Sequence, residues 1–289
     1  MSDKISPNRK LSIRNHDREA AGLTYVYPVI SRRAGGVSIG VNLNVNNACN
    51  WRCIYCQVPD LQRGAAPPVD LEKLRSELLG FMRDVLTGDF MERSVPEGAR
   101  RLNDIALSGN GEPTSAREFA EVIDVIGEVR RYVEVPEEVK TVLITNGSLI
   151  HQHRVRDGLR RLRGLNGEVW FKLDSVTREG RQRINDTRSG MGQVTTNLEL
   201  AAHACPTWIQ TCALALDGKP PGTAEQKAYL DFLSLQVAGG IPLRGVLLYG
   251  LARLSHQPEA PRLSALPSAW LDDYADRIRA LGLEVRVSV

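Results

Sequence analysis

Short apolar segments alternate with amphipathic segments along most of the chain, and this alternation limits the folds that the chain can adopt. Strands are predicted where apolar residues form short runs or recur at every second position, at residues 37–45, 104–107, 140–145, 168–173, 208–215, 242–249 and 284–287. Helices are predicted where apolar residues recur at helical spacing, at residues 71–86, 115–132, 151–162, 194–204, 224–238 and 268–281. This succession predicts a parallel sheet with right-handed crossovers, either an open doubly wound sheet or a complete or partial α/β barrel.

In both architectures the functional residues lie at the carboxyl ends of the strands. The loops after the first four predicted strands are polar or rich in glycine, and in chain order they contain CNWRCIYC, SGNGEPT, TNGS and DS. We therefore expect one functional site where these loops meet.

The composition is that of an ordinary globular protein. Hydrophobic residues make up 42% and charged residues 25% of the 289 residues, which disfavours disorder, a collagen-like fibre and a coiled coil. Residues 1–15 are polar and no uninterrupted apolar run reaches the length of a membrane span, so we expect a cytoplasmic protein. A net charge of +3 is too small to indicate nucleic-acid binding, and the basic run at residues 154–163 is typical of a solvated helix face.

Residues 1–35 precede the first strand of the repeating pattern. We predict that they form a short N-terminal extension, either as a cap or as an added edge strand at residues 25–30. Residues 36–289 are predicted to form the α/β domain.

Five cysteines are too few and too unevenly spaced for a disulfide scaffold in a chain of this size. Cys49, Cys53 and Cys56 form a CxxxCxxC motif directly after the first predicted strand. Three thiolates on one tight loop can ligate three irons of a [4Fe–4S] cluster and leave the fourth iron open to an exchangeable ligand. The alternative is a zinc site, for which a fourth Cys or His close by would be expected. Cys205 and Cys212 lie far from the motif and are interpreted as buried thiols.

With the aromatic Tyr55 before its last cysteine, the motif resembles the signature of the radical SAM enzymes. The resemblance covers residues 37–289 and implies a partial (β/α)6 TIM-type barrel with a short N-terminal extension. In that family S-adenosylmethionine (SAM) chelates the open iron, and an electron from the cluster cleaves SAM to a 5′-deoxyadenosyl radical that abstracts hydrogen from the substrate. The resemblance thus implies two cofactors, a [4Fe–4S] cluster and SAM, and assigns Tyr55 to the SAM site.

The same resemblance implies a SAM-binding role for the loops after the second and third strands. Gly109, Asn110, Gly111 and Glu112 correspond to the GGE-type motif of the family, whose residues bind the amino group of SAM. Asn146 lies in a TNG turn, and similar turns line the cofactor side in the family. The alternatives are a helix-start turn for the first loop and an Asx or type I′ turn for the second.

Residues Lys172 and Asp174 lie at the end of the fourth strand, where alternation places both on one face. A buried lysine beside a carboxylate is costly unless it binds something. The resemblance implies that Lys172 reaches the SAM carboxylate and that Asp174 orients SAM or the substrate, with a structural ion pair as the alternative. Further candidates at strand ends are Tyr249 for SAM and Arg188, Gln210 and Arg253 for the substrate.

Within the superfamily, the SGNGEPT and FKLDS segments most resemble iron–sulfur oxidoreductases related to the enzymes that form the tricyclic wybutosine base of tRNA. Some of those relatives hold a second cluster on N-terminal cysteines, but no cysteine precedes Cys49. We therefore expect a small-molecule substrate rather than tRNA. The electron is expected from an external donor such as flavodoxin or ferredoxin.

Three alternatives remain open. The same cysteines could serve the transfer of an aminocarboxypropyl or other group from SAM to a nucleophile, or the modification of an RNA base. A zinc-containing nucleic-acid-binding protein would instead use the basic run at residues 154–163 and bind RNA in a salt-dependent manner.

Overall fold

The computed structural model describes residues 11–12, 22–31 and 35–288. The strands are β1 (Val26–Ser31), β2 (Gly36–Val41), β3 (Ala48–Cys49), β4 (Gln62–Arg63), β5 (Leu102–Leu107), β6 (Lys140–Thr145), β7 (Gly167–Lys172), β8 (Thr207–Ala213), β9 (Ala215–Leu216), β10 (Leu243–Gly250), β11 (Leu263–Ser264) and β12 (Val285–Ser288). The helices are α1 (Leu71–Leu86), α2 (Phe90–Ser94), α3 (Phe119–Tyr132), α4 (His153–Arg163), α5 (Arg178–Asn185), α6 (Met191–Ala204), α7 (Thr223–Ala238) and α8 (Ser268–Arg279). Single 3₁₀ turns occur at Glu97–Ala99, Pro113–Ser115 and Ala260–Arg262.

The main sheet has eight strands in the order β1-β2-β5-β6-β7-β8-β10-β12. β1 is antiparallel to β2, and the other strands are parallel to one another. The parallel strands follow chain order across the sheet, whereas the order in a doubly wound sheet reverses. Within the described ranges the edge strands β1 and β12 do not pair, so the sheet is an open, curled half-barrel. This confirms the predicted partial TIM-type barrel.

The helices form a layer against the sheet, in which α3 lies between α1 and α4 and α6 follows α4. The main core contains fully buried residues from both layers, including Leu78 of α1, Phe119 of α3 and Ile209 of β8. Burial of one such side chain contributes about 1.5–3 kcal/mol to stability. The helices therefore stabilise the sheet, and loops follow the carboxyl ends of the strands.

Two predicted strands end earlier than expected. The strand predicted at residues 37–45 ends at Val41, because the side chain of Asn42 turns the chain by accepting the N–H of Asn44 at 3.1 Å. The strand predicted at residues 208–215 is divided, since β8 ends at Ala213 and β9 pairs with β11 in a separate small sheet. Both interruptions place loops at the mouth of the half-barrel.

Two helices of the structure, α2 and α5, are absent from the sequence predictions. The eight residues of α5 include one large apolar residue, Ile184, so no helical pattern of apolar residues marks it. Its N-terminus is capped by the hydroxyl of Thr177, which accepts the N–H of Gly180 at 3.0 Å.

The predicted edge strand at residues 25–30 corresponds to β1, which forms an antiparallel pair with β2. Much of the predicted N-terminal extension at residues 1–35 lies outside the described residues. The division of the chain at residue 36 therefore stays a prediction.

The basic run at residues 154–163 lies in α4. Arg161 pairs with Asp124 and Asp157, and Arg154 donates to the carbonyl oxygen of Thr114 at 3.0 Å. Part of this positive charge is therefore balanced within the protein. In the described part of the chain, no helix has the length and apolar character needed to cross a bilayer.

Candidate active site

A cavity of about 320 Å³ opens where the strand-end loops meet. Thirteen of the fifteen predicted site residues line it: Cys49, Cys53, Tyr55, Cys56, Gly109, Asn110, Gly111, Glu112, Asn146, Lys172, Gln210, Tyr249 and Arg253. Ser38, Asp104 and Trp170 also line it, and they come from earlier positions of β2, β5 and β7. The cavity therefore extends from the strand ends into the half-barrel.

The three cysteines of the motif are partly buried at this cavity and form no disulfide. The N–H of Trp51 donates to Cys49 Sγ at 3.5 Å, and the amide of Asn185 donates to Cys53 Sγ at 3.3 Å. Burial raises the pKa of Cys49 to about 12 and that of Cys53 to about 11. Near neutral pH these thiols are therefore protonated until a metal displaces the proton.

The donor set fits an iron–sulfur cluster. Iron–sulfur clusters are held by cysteine thiolates, and each iron of a cubane takes its own thiolate, so the ligands need not converge on one point. Among the described residues, no three His, Cys, Asp or Glu side chains converge as ligands of a single ion.

The C-terminal end of α5 (residues 184–186) supports the cysteine loop from one side. The N–H of Arg52 donates to the carbonyl oxygen of Asn185 at 3.2 Å, and the N–H of Ile54 donates to that of Ile184 at 2.9 Å. Arg52 and Arg63 both pair with the carboxylate of Asp186, at 3.5 and 2.5 Å. The cysteine loop is therefore held by both backbone and side-chain contacts.

The loop after β10 supports the cysteine loop from another side. Ser255 Oγ donates to the carbonyl oxygen of Ile54 at 2.7 Å, and the N–H of His256 donates to that of Cys56 at 2.9 Å. Arg52 also forms a bidentate ion pair with Glu259, at 2.9 and 2.8 Å, which lowers the pKa of that carboxyl. No sequence pattern marked these residues, because their contacts join segments about 200 positions apart.

The glycine loop after β5 packs tightly against the loop after β2. Gly109 has a φ of +149°, and Asn42 Oδ1, beside it, accepts the N–H of Asn110 at 3.0 Å. A Cβ at Gly111 would overlap the carbonyl oxygen of Ala48, next to Cys49. Gly111 therefore allows the close approach of two backbones, and Gly109 leaves room for the side chain of Asn42 at a φ that favours glycine.

We expect Gly111→Ala to destabilise the protein by about 1–3 kcal/mol, the usual cost of overpacking, and to lower metal loading at Cys49. Gly80→Ala is a matched control, because Gly80 lies in α1 and a Cβ there meets no atom within 4 Å. That change should stabilise the helix by roughly 0.5–1 kcal/mol. Urea unfolding measures the free energy of unfolding of both variants, and iron analysis measures their metal loading. Equal stability of the two variants would contradict the close approach at Gly111.

Glu112 is 2% exposed and joins two loops of the site. Its Oε1 accepts the hydroxyls of Thr114 and Thr145, each at 2.6 Å, and its Oε2 accepts the N–H of Asn146 at 2.7 Å. Burial raises the pKa of Glu112, although these hydrogen bonds oppose the shift. A carboxylate has about four acceptor positions, and within the described ranges Oε2 accepts one hydrogen bond, from Asn146.

Asn146 joins the TNG turn to the cysteine loop, since its side-chain amide donates to Asn50 Oδ1 at 2.7 Å. Asn146 Oδ1 also accepts the N–H of Ser148 at 3.0 Å, which is the Asx turn considered from the sequence. Asn146 therefore both forms the turn and lines the cavity.

Lys172 lies between two tyrosines at the end of β7. Its ammonium donates to Tyr55 Oη at 2.7 Å and to Tyr249 Oη at 3.1 Å, and lies 4.9 and 5.7 Å from the two ring centroids. Burial alone would lower the pKa of Lys172, but Tyr249 and Asp174 raise it well above its usual value. A positive charge is therefore retained at the cavity.

Asp174 does not line the cavity. Its carboxylate accepts the hydroxyl of Tyr55, the amide of Asn185 at 2.6 Å and the N–H of Cys212 at 2.8 Å. It is linked to Lys172 through the Tyr55 hydroxyl. These contacts place Asp174 behind the cavity wall, where it orients Tyr55 and Asn185.

The candidate substrate residues are not all brought together. Gln210 is 2% exposed and lines the cavity, as does the half-buried Arg253. Arg188 is exposed and does not line the cavity. It follows Asp186, whose left-handed φ of +48° ends α5. Cys212, interpreted from the sequence as a buried thiol, is buried and also lines the cavity.

Comparison with known proteins identifies the class. The family model described as the radical SAM superfamily matches residues 43–225, which is more than half of the chain. The chain belongs to the radical SAM superfamily. It is an enzyme of a class that uses a [4Fe–4S] cluster and SAM and that generally needs a reductant.

Two relatives in sequence are UPF0026 proteins, a family name that states no activity. A UPF0026 protein of Synechocystis is 24% identical over 73% of this chain and 71% of its own length. A UPF0026 protein of Helicobacter pylori is 26% identical over 55% of this chain, and the match covers 44% of the relative. The chain thus spans less than half of the Helicobacter relative.

A crystal structure of SuiB from Streptococcus suis, bound to the precursor peptide SuiA, has the same fold, with a TM-score of 0.58 at 11% identity. The match covers 86% of this chain and 47% of SuiB. A spore photoproduct lyase variant gives a TM-score of 0.53 at 10% identity, over 83% of this chain and 73% of that protein.

Proposed function

We propose that this chain cleaves SAM reductively to a 5′-deoxyadenosyl radical and uses that radical to abstract hydrogen from a small-molecule substrate. The observation that carries the proposal is the cavity, which three cysteines share with a fixed lysine, a glycine loop and a buried carboxylate. Its volume of about 320 Å³ lies in the range of about 300–1,000 Å³ common for small-molecule sites.

In this proposal Cys49, Cys53 and Cys56 hold a [4Fe–4S] cluster. The bound cluster supplies the electron that breaks the sulfonium bond of SAM. Glu112 and the glycine loop orient the amino group of SAM, while Lys172 binds its carboxylate. Proximity of these groups supports the assignment, because both ends of the amino-acid part of SAM would then be held beside the cysteine loop.

We further propose that Tyr55, Asn146 and Tyr249 contact SAM and that Asp174 acts through Tyr55. Gln210 of β8 and Arg253 of the loop after β10 are proposed to bind the substrate at the cavity, with Arg253 suited to an anionic group. Arg188 lies outside the cavity and is not part of this assignment.

The location, the domain division and the electron donor are also proposals. We propose a cytoplasmic enzyme with its catalytic barrel at residues 36–289, an N-terminal extension at residues 1–35, and an external electron donor such as flavodoxin or ferredoxin. The narrower likeness to the wybutosine-related oxidoreductases is kept as a proposal, because the two relatives described above are UPF0026 proteins. Modification of a tRNA base would be the reaction under that assignment.

Product analysis tests the proposed function. The reconstituted, chemically reduced protein is incubated with SAM under anaerobic conditions, and the nucleoside products are identified by mass spectrometry. We expect 5′-deoxyadenosine, and none from the oxidised protein. Methylthioadenosine as the product would contradict the hydrogen-abstraction mechanism and support aminocarboxypropyl transfer.

A further inference from the structure

The C-terminal end of α5 contacts the cysteine loop through carbonyl groups that the helix itself leaves unused. The last four carbonyl groups of an α-helix have no partner within the helix. Here the carbonyl oxygens of Ile184 and Asn185 accept N–H groups from Ile54 and Arg52, the neighbours of Cys53 on both sides. The helix end therefore fixes the backbone of the loop at Cys53.

The side chain of Asn185 contacts Cys53 directly. Its amide nitrogen donates to Cys53 Sγ at 3.3 Å and to Asp174 Oδ2 at 2.6 Å, so both of its hydrogens are used. Asn185 is 1% exposed, and a buried side-chain amide seldom lacks a hydrogen-bond partner. The hydrogen bond to Asp174 fixes the direction of the hydrogen bond to Cys53 Sγ.

The geometry points to Asn185 as the positioning residue that orients Cys53 and raises the reduction potential of the cluster. This inference rests on the proposed function only in that a cluster is bound at Cys53. Reduction adds negative charge to a cluster, and hydrogen bonds to its sulfur ligands stabilise that charge. The donor from Asn185 is therefore expected to favour the reduced form.

Asp174 increases the effect of Asn185 on the reduction potential of the cluster. A carboxylate near a cluster disfavours the added electron, and Asn185 lies between Asp174 and Cys53 and bonds to both. Removal of the amide takes away the hydrogen-bond donor to Cys53 Sγ. It also removes a hydrogen bond that stabilises the negative charge of Asp174. Both changes lower the reduction potential.

The test compares Asn185→Leu, which keeps the approximate volume, with Asn185→Ser, whose hydroxyl is too short to reach the sulfur. Gln236→Leu is the matched control, because Gln236 is a buried amide in α7 that donates to the carbonyl oxygen of Phe232 at 3.2 Å. Iron and sulfide content is measured first. The midpoint potential of the bound cluster is then measured by anaerobic redox titration followed by electron paramagnetic resonance (EPR).

We expect both Asn185 variants to have a midpoint potential lower by about 59 mV, which for a one-electron couple is a tenfold change in the equilibrium constant of reduction. Gln236→Leu should keep the potential of the parent. Equal potentials in the parent and either loaded Asn185 variant would overturn this inference and leave the proposed function intact. A parent protein that binds no iron would overturn both.

Discussion

Replacement of Cys53 by alanine should abolish binding of the cluster and, with it, all reductive cleavage of SAM. Cys53 is the middle ligand of the motif, and the two remaining cysteines cannot hold a cubane with a single open iron. The fold should persist, because Cys53 is only partly buried and lies outside the main core. Iron and sulfide analysis, visible absorption and the SAM cleavage assay measure the effect.

Cys205→Ala is the matched control for this prediction. Cys205 is buried at the end of α6 and contacts the carbonyl oxygen of Gly167 at 3.4 Å, away from the cavity. This variant should keep its cluster and its activity. Cluster loading in Cys53→Ala equal to that in Cys205→Ala would show that the motif is not the ligand set. Loss of soluble protein in Cys53→Ala alone would show that the cluster is structural.

Replacement of Lys172 by methionine should weaken SAM binding by roughly tenfold to more than a hundredfold. A hydrogen bond between charged groups contributes about 1.5–3 kcal/mol, and about 1.4 kcal/mol corresponds to a factor of ten in affinity. The ammonium is already held by two tyrosine hydroxyls, so little ordering is needed when a carboxylate binds. Equilibrium dialysis of SAM against oxidised, cluster-loaded protein measures the affinity without turnover.

Lys227→Met is the control for Lys172→Met. Lys227 lies on α7 with 74% of its side chain exposed, and its partner is Asp231 one turn away. This change should leave SAM affinity and iron content unchanged. If Lys172→Met bound SAM as tightly as Lys227→Met, the carboxylate of SAM would have to be held elsewhere.

The main features of the fold were predictable because strands that alternate with helices form parallel sheets. The position of the site followed from the same argument, since the ends of parallel strands meet at one edge of a sheet. The cysteine loop, the glycine loop, Asn146 and Lys172 thus line one cavity although more than 120 residues separate the first from the last.

The parts that could not be predicted depend on contacts between distant segments. Asn42, Asn185 and Ser255 support the site through hydrogen bonds to other loops, and no local pattern distinguishes them from other polar residues. Lys172 and Asp174 were expected on one face, but their link through the Tyr55 hydroxyl depends on tertiary structure. Arg188 was predicted to lie at the site because of its position in the chain. In the structure it is exposed, beyond the left-handed turn at Asp186.

Whether the three cysteines hold a [4Fe–4S] cluster that binds SAM is tested by the metal and sulfide content of the parent protein after anaerobic reconstitution. The same sample is then reduced and measured by EPR before and after SAM is added. We expect about four irons and about four sulfides per chain, with an EPR signal that SAM changes. One zinc per chain without sulfide would contradict this expectation.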